Sequence, residues 1–370
     1  MQQSNWTEGF FARIAVPRIA GSGPLRGVEA AIVARLEQSG LAVQLQRFRA
    51  SPRTLTAVAL FGAACGWVAL LLGPFLVVDV SGWIVLPIGI AALALAGLLA
   101  LGVAGGQIQA GTSDVEAVNI WATRGGNPKI WLVAHSDSKG QSLSLAGRVL
   151  ATGALGMGLA ILIVALALRV VTPLPWWIAA APVLFTVSGG AALSRGSVSN
   201  DSPGAVDNAT GLIAALVAAE RLSHRDDVGV LITGAEEFAM AGAREWVAGG
   251  RAHGDFVNFD GLDSCGKYRI TTHGRSGIAS GDRSARVAAA LTAALGNAGG
   301  EVARWGLPSG VLVDGVILQR AGMKGVTLSR GTWHTLRVVH TCADTAERVE
   351  IGAAVMAGES AAYAIDTLLG

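Results

Sequence analysis

Between Thr54 and Val78 the chain carries no charged residue. At about 1.5 Å per helical residue, such a run is longer than the roughly 30 Å hydrocarbon core of a bilayer. A short link containing Asp79 leads into a second run, Trp83 to Gly105, dominated by Ala, Leu, Gly and Ile, and the pair reads as a hairpin. Arg148 and Arg169 bracket a third run, Val149 to Leu168. A fourth, Val170 to Ser194, contains Pro173, Pro175, Trp176, Trp177 and Pro182. Buried helices of a soluble protein are the alternative, but the charged ends and the placement of Trp83, Trp176 and Trp177 suit a bilayer interface. Composition agrees: 15% of residues are charged and 52% hydrophobic, against roughly 25% charged in ordinary soluble domains. Cys65, inside the first run, is read as a small packing residue, and Ala96 with Gly97 as a place where helices approach.

Two hairpins return the chain to the side from which it left. Residues 1–53, 106–148 and 195–370 then form one interrupted domain on a single side of the membrane, with hairpins at 54–105 and 149–194. Arg47, Arg49, Arg53, Lys139, Arg148 and Arg195 flank the runs on that side and Arg169 alone on the other, so the positive-inside rule places the polar part in the cytoplasm, at a bacterial-type inner or plasma membrane. No basic n-region followed by an apolar stretch opens the chain, and no leader peptide is expected. A net charge of +2 without basic and aromatic residues interleaved excludes nucleic acid as a partner. Cys65, Cys265 and Cys342 have no paired spacing, which argues against a disulfide framework or a cysteine zinc knuckle.

Outside the hairpins, strand and helix patterns alternate. Val28, Ile32 and Leu36 mark an amphipathic helix that ends at Gly40; residues 43–48, VQLQRF, alternate as a strand. VEAVNIWA (115–122) and KIWLVA (129–134) are strands joined by RGGNP; GLIAALVAAERL (211–222) is a helix; VGVLITG, FVNF and VTL are short apolar strands. The expected fold is α/β: a mixed, mostly parallel sheet covered by helices. In such sheets ligands bind at the carboxyl ends of the strands. There the chain delivers His135, Glu236 with Glu237, and Asp260, while Asp207 precedes the intervening helix.

A pair of zinc ions needs imidazole nitrogens, carboxylates of which one bridges, and room for water. His135 and Asp260 suit one ion, Glu237 and His340 the other, and Asp207 the bridge. Glu236 and Glu237 are adjacent and project differently, so one is free to accept a proton while the other binds metal. Asp137, two residues past His135, is placed to receive the other imidazole N–H.

HSDS (135–138), GAVDNATG (204–211), GAEEFAMAGA (234–243), NFDGLDS (258–264) and HTCADT (340–345) occur in the order and approximate spacing of a known family. Together they resemble the co-catalytic di-zinc aminopeptidases, the group containing aminopeptidase S, aminopeptidase Y and the glutamate carboxypeptidase ectodomain. RIAVPRIAGSG near the start and VLVDGVILQRAGMKGVTL, with Asp314, are similar to the family's entry and late strand regions. The resemblance implies a zinc exopeptidase fold, two zinc ions held by His135, Asp207, Glu237, Asp260 and His340, and small peptide substrates. It also implies Glu236 as general base toward a water lying between the ions, with Asp137 supporting catalysis. The departure from the family is the two membrane hairpins, the second falling between HSDS and GAVDN.

Rival expectations are a single-zinc glutaminyl cyclase of the same fold, against which Asn208 beside Asp207 counts, and a silent scaffold or receptor, against which the complete ligand set counts. A transporter is ranked last, because no ionisable residue lies inside a span. Asn208 is read as positioning the following helix; His224, His253, His273 and His334 as structural or solvated; Cys342 as no ligand. Oligomeric state is not set by the sequence.

Overall fold

The computed structural model describes residues 6–109, 113–273, 283–304 and 312–370; the first five residues, where a leader was sought, and Val311, which opens the late strand motif, lie outside them. In chain order the strands are β1 (Ala42–Ala50), β2 (Val115–Thr123), β3 (Ile130–His135), β4 (Gly140–Gln141), β5 (Val198–Ser199), β6 (Val228–Thr233), β7 (Asp255–Leu262), β8 (Lys267–Thr271), β9 (Val302–Arg304) and β10 (Lys324–Gly331). The helices are α1 (Thr7–Ile14), α2 (Gly23–Gln38), α3 (Arg53–Val77), α4 (Gly82–Ala104), α5 (Leu145–Arg169), α6 (Trp176–Ser194), α7 (Thr210–Arg221), α8 (Ala241–Ala248), α9 (Arg283–Asn297), α10 (Asp314–Arg320), α11 (Trp333–Val338) and α12 (Gly352–Leu369).

Eight strands form one sheet in the order β1-β2-β6-β3-β7-β10-β8-β9. Its centre, β6-β3-β7-β10, is parallel; β2 and β8 join it antiparallel on either side, β1 is antiparallel to β2, and β9 is parallel to β8. Every residue of β3 and β6 is buried, as a strand covered on both faces must be. On one face Leu132, Val230 and Val257 pack under α7, α9 and α12; on the other Trp131, Val133, Leu231 and Phe256 meet Trp246 of α8 and Leu318 of α10. Residues 210–219 of α7 are all buried, which explains a helix apolar almost all round. The RGGNP segment joins β2 to β3, yet the two strands are not neighbours, because β6 lies between them. Local pattern cannot reveal such a pairing.

The four apolar runs are helices α3, α4, α5 and α6, each long and apolar enough to cross a membrane. Two bounds differ from the sequence reading. Helix α5 begins at Leu145, where the Ser144 hydroxyl caps it by accepting from Gly147 N at 3.3 Å, so Arg148 lies inside the helix rather than before it. Helix α6 begins only at Trp176, after Pro173 and Pro175. The helices approach through glycine: a Cβ on Gly190 would stand 2.2 Å from the Gly62 carbonyl oxygen, joining α6 to α3. Ala96 is buried, but Gly97 faces open space.

Paired strands root both insertions. β1 and β2 pair from Ala42↔Thr123 to Ala50↔Val115, so the chain leaves for α3 and returns from α4 at neighbouring points, which Arg53 and Asp114 tie at 2.9 Å. β4 pairs with β5 in the same way around α5 and α6. An insertion whose ends stay adjacent leaves the sheet undisturbed.

Candidate active site

The five sequence-predicted ligands converge at the carboxyl edge of the parallel strands. One ligand atom each from His135, Asp207 and Asp260 lies within 4.8 Å of the others, and the same holds for Asp207, Glu237 and His340. Asp207 is common to both groups. Its Oδ1 stands 3.0 Å from His135 Nε2 and its Oδ2 3.1 Å from His340 Nε2, while Glu237 Oε1 is 3.2 Å from the same His340 nitrogen.

Each ligand owes its place to a different local device. His135 ends β3, and its Nδ1 is 3.1 Å from the backbone carbonyl oxygen of Asp137. An N–H donated there leaves the Nε2 lone pair facing Asp207. The Asp137 carboxylate is 3.6 Å from the same ring nitrogen, within ion-pair reach, and also accepts the backbone N–H groups of Glu236 at 3.0 Å and Glu237 at 3.2 Å. Asp137 thus faces the ring with both its carbonyl and its carboxylate, and the carboxylate also anchors the turn after β6. In that turn Ala235, Ala239 and Met240 have φ between 50° and 62°. Asp207 lies between β5 and α7, where the Asp344 carboxylate accepts Val206 N at 2.9 Å and Asp207 N at 3.2 Å. Asp260 lies inside β7, two residues before its end. His340 follows α11 with φ +67°, a left-handed conformation costly for a residue with a Cβ, and its carbonyl accepts Gln141 N at 2.7 Å.

Asn208 positions the start of the helix that follows it. It is fully buried, donates to Phe259 O at 2.8 Å and accepts from Gly211 N and Gly261 N, locking the start of α7 to β7. Three supporting residues were not singled out from the sequence. Arg18 is buried and donates to the carbonyls of Ser136 (2.8 Å), Pro203 (2.5 Å) and Gly204 (3.0 Å). Lys139, 4% exposed, pairs with Glu237 Oε2 at 2.5 Å. Asp344 is the third, and its only signal was a place in the motif HTCADT.

Burial raises Asp260 to about 7, with His135 opposing and Asp207, Asp314 and Glu237 adding to the shift. Glu236 is driven well above the usual carboxylate range by burial, against His135, with help from Glu237, Asp314 and Asp260. Burial works against the Glu237 charge, yet His340 and Lys139 prevail and hold it down at about 2. In Asp207, too, burial is outweighed, here by hydrogen bonds from His135 and His340, and its pKa falls well below the usual value. Both imidazoles move up, since the surrounding carboxylates overcome their burial.

These atoms suit zinc. Glu237 Oε1 is buried without a hydrogen-bond partner while Lys139 occupies its other oxygen, so one set of lone pairs faces the group. Two imidazoles and three carboxylates are the donors zinc favours, and donors on a tetrahedral ion with bonds of about 2.0–2.1 Å stand roughly 3.3 Å apart, close to the spacings above. Glu236 belongs to neither group and lines a cavity of about 310 Å³ that also holds Glu237, Asp207 and His340.

A mostly parallel, helix-covered sheet with this edge defines a zinc exopeptidase fold, and solved structures share it. An aminopeptidase from Aneurinibacillus sp. strain AM-1 superposes with a TM-score of 0.58 at 14% identity, covering 98% of this chain and 93% of the other. BSAP, a zinc aminopeptidase from Bacillus subtilis, gives 0.56 at 15%, covering 98% and 94%. A Porphyromonas gingivalis glutaminyl cyclase gives 0.56 at 14%, covering 99% and 98%. No curated protein matches by sequence. Residues 192–365, which contain Asp207, Glu236, Glu237, Asp260 and His340, match the model of peptidase family M28.

Proposed function

We propose that this protein is a membrane-anchored aminopeptidase that holds two zinc ions and removes N-terminal residues from peptides, with its catalytic part on the cytoplasmic side. The observation that carries this reading is the carboxylate of Asp207, whose two oxygens face two different imidazoles at 3.0 and 3.1 Å. His135, Asp207 and Asp260 would hold one ion, and Asp207, Glu237 and His340 the other. Bound there, zinc supplies Lewis acidity toward a carbonyl oxygen and lowers the pKa of water toward neutrality.

The chain's own groups supply the rest. Lys139 holds one oxygen of Glu237 and turns the other inward, and Asp137 fixes the turn that aims Glu236 and Glu237 apart. Glu236, whose affinity for a proton is raised by burial among like charges, is the carboxylate placed to act as general base. It takes the proton of the attacking water and returns it to the departing amine.

The test uses the full chain purified in detergent, with zinc content and turnover of amino-acyl anilides measured together. The expected result is two zinc ions per chain, and in Glu236→Ala a fall in kcat of about 10²–10⁴-fold with zinc retained. Unchanged turnover in that variant rejects the base assignment. The glutaminyl cyclase fold neighbour makes cyclisation of N-terminal Gln the necessary counter-assay, and cyclisation without hydrolysis overturns the peptidase reading.

A further inference from the structure

Two cavities meet at Asp207 and Asp260. The smaller, about 110 Å³, is walled by Leu145, Val206, Val313, Leu336 and Val339. The larger, about 310 Å³, contains Glu236 and His340 and continues onto Leu55 and Val58 of α3, Thr152 of α5 and Leu193 of α6. Three of the four long apolar helices thus wall the cavity that contains the base.

Hydrolysis adds one water: its oxygen joins the acyl carbon, the C–N bond breaks, and a proton ends on the departing nitrogen. An aminopeptidase keeps a single residue on the acyl side and the remaining chain on the amine side. Glu236 delivers that proton, so the departing chain lies in the cavity that Glu236 lines, and the N-terminal residue takes the smaller one, which Glu236 does not line. The departing chain is therefore led toward the helices. Val58, 47% exposed on the first turns of α3, presents an apolar surface there. Rigid links hold the two regions together: Gln141 N donates to His340 O at 2.7 Å and Leu145 N to Val339 O at 3.5 Å, so the start of α5 is bonded to the loop that carries His340.

We infer that the substrate is a membrane-anchored peptide whose N-terminal residue lies only a few residues from an apolar, bilayer-embedded segment. This deepens the aminopeptidase reading and rests on it, as well as on the four helices crossing a bilayer. A water-soluble peptide fits the reaction but gains nothing from the apolar wall.

The test places the full chain in phosphatidylcholine vesicles with two peptides of identical N-terminal sequence. In one, a spacer of about four residues, roughly 13 Å when extended, joins the scissile end to an apolar helix of about 20 residues. In the other a Gly/Ser linker of about 30 residues, roughly 30 Å end to end, replaces the spacer, so both peptides are equally confined to the membrane. Turnover of the short-spacer peptide is expected to exceed that of the long-linker peptide by about tenfold in kcat/KM. In Val58→Trp, which narrows the larger cavity, the ratio of short-spacer to long-linker turnover falls toward one. Equal turnover of both peptides by the unaltered chain overturns the inference and leaves the aminopeptidase reading standing, as does a ratio that Val58→Trp leaves unchanged. Failure to cleave either peptide or a leucyl anilide overturns both.

Discussion

Arg18 is completely buried, and its guanidinium draws together the loop after β3 and the loop before Asp207 by donating to Ser136, Pro203 and Gly204. Burial lowers its pKa to about 10, against the pull of Asp137, Asp344, Asp207 and Glu237, so it stays charged at neutral pH. Arg18→Met leaves several buried carbonyls without a donor at about 1–3 kcal/mol each, and a drop in Tm together with weakened zinc binding is expected by calorimetry and metal analysis. His273 answers to pH for another reason. Burial depresses its pKa to about 4, beside Thr327 Oγ1 at 2.8 Å, against about 6.5 in the unfolded chain. The folded state therefore keeps its full contribution above about pH 6.5 and loses it as pH falls toward 4. The Tm advantage of the unaltered chain over His273→Gln should shrink from pH 7 to pH 4.5; an advantage that grows on acidification contradicts this sign. The zinc-type donors were legible because five motifs in order carry them. Arg18, Lys139 and Asp344 were not, since a lone charge in a loop looks solvated until distant segments close over it.

Helices α3 to α6 could be read from hydropathy because length and absence of charge are local properties. Their contacts were not. Gly97, marked as a packing position, faces open space, while Gly62 and Gly190 carry the approach of α3 to α6. Small residues are frequent throughout these helices, and only their rotation decides which of them meet. Gly190→Val drives a side chain into the Gly62 backbone and should cost about 1–3 kcal/mol, lowering the Tm measured in detergent; Gly97→Val should leave it unchanged. Equal Tm changes in the two variants exclude this arrangement of the helices. The start of α5 shows the same limit. A charge at position 148 looked like the end of a span, but the Ser144 cap begins the helix earlier and carries Arg148 to the cavity, where it donates to Gln141 Oε1 at 2.7 Å.

For the whole molecule, two helical hairpins entered and left through paired strands require both termini and the site on one side of any membrane that α3 to α6 cross. Reporters fused at residue 2 and residue 370 should therefore give the same signal, cytoplasmic in the proposed orientation, and one inserted at residue 80 should report the opposite side; a signal common to all three rules out two complete crossings. What the amino-acid sequence determined alone was the set of apolar runs, the α/β alternation and the donor residues at strand ends, because hydropathy, periodicity and residue chemistry are written within a few neighbouring positions. Only the tertiary structure decided that β6 separates β2 from β3, that Asp207 faces His135 and His340 with different oxygens, and that the ends of α3, α5 and α6 wall the cavity beside Glu236. Those outcomes depend on contacts between segments far apart in the chain, and packing, rather than local preference, chooses among them.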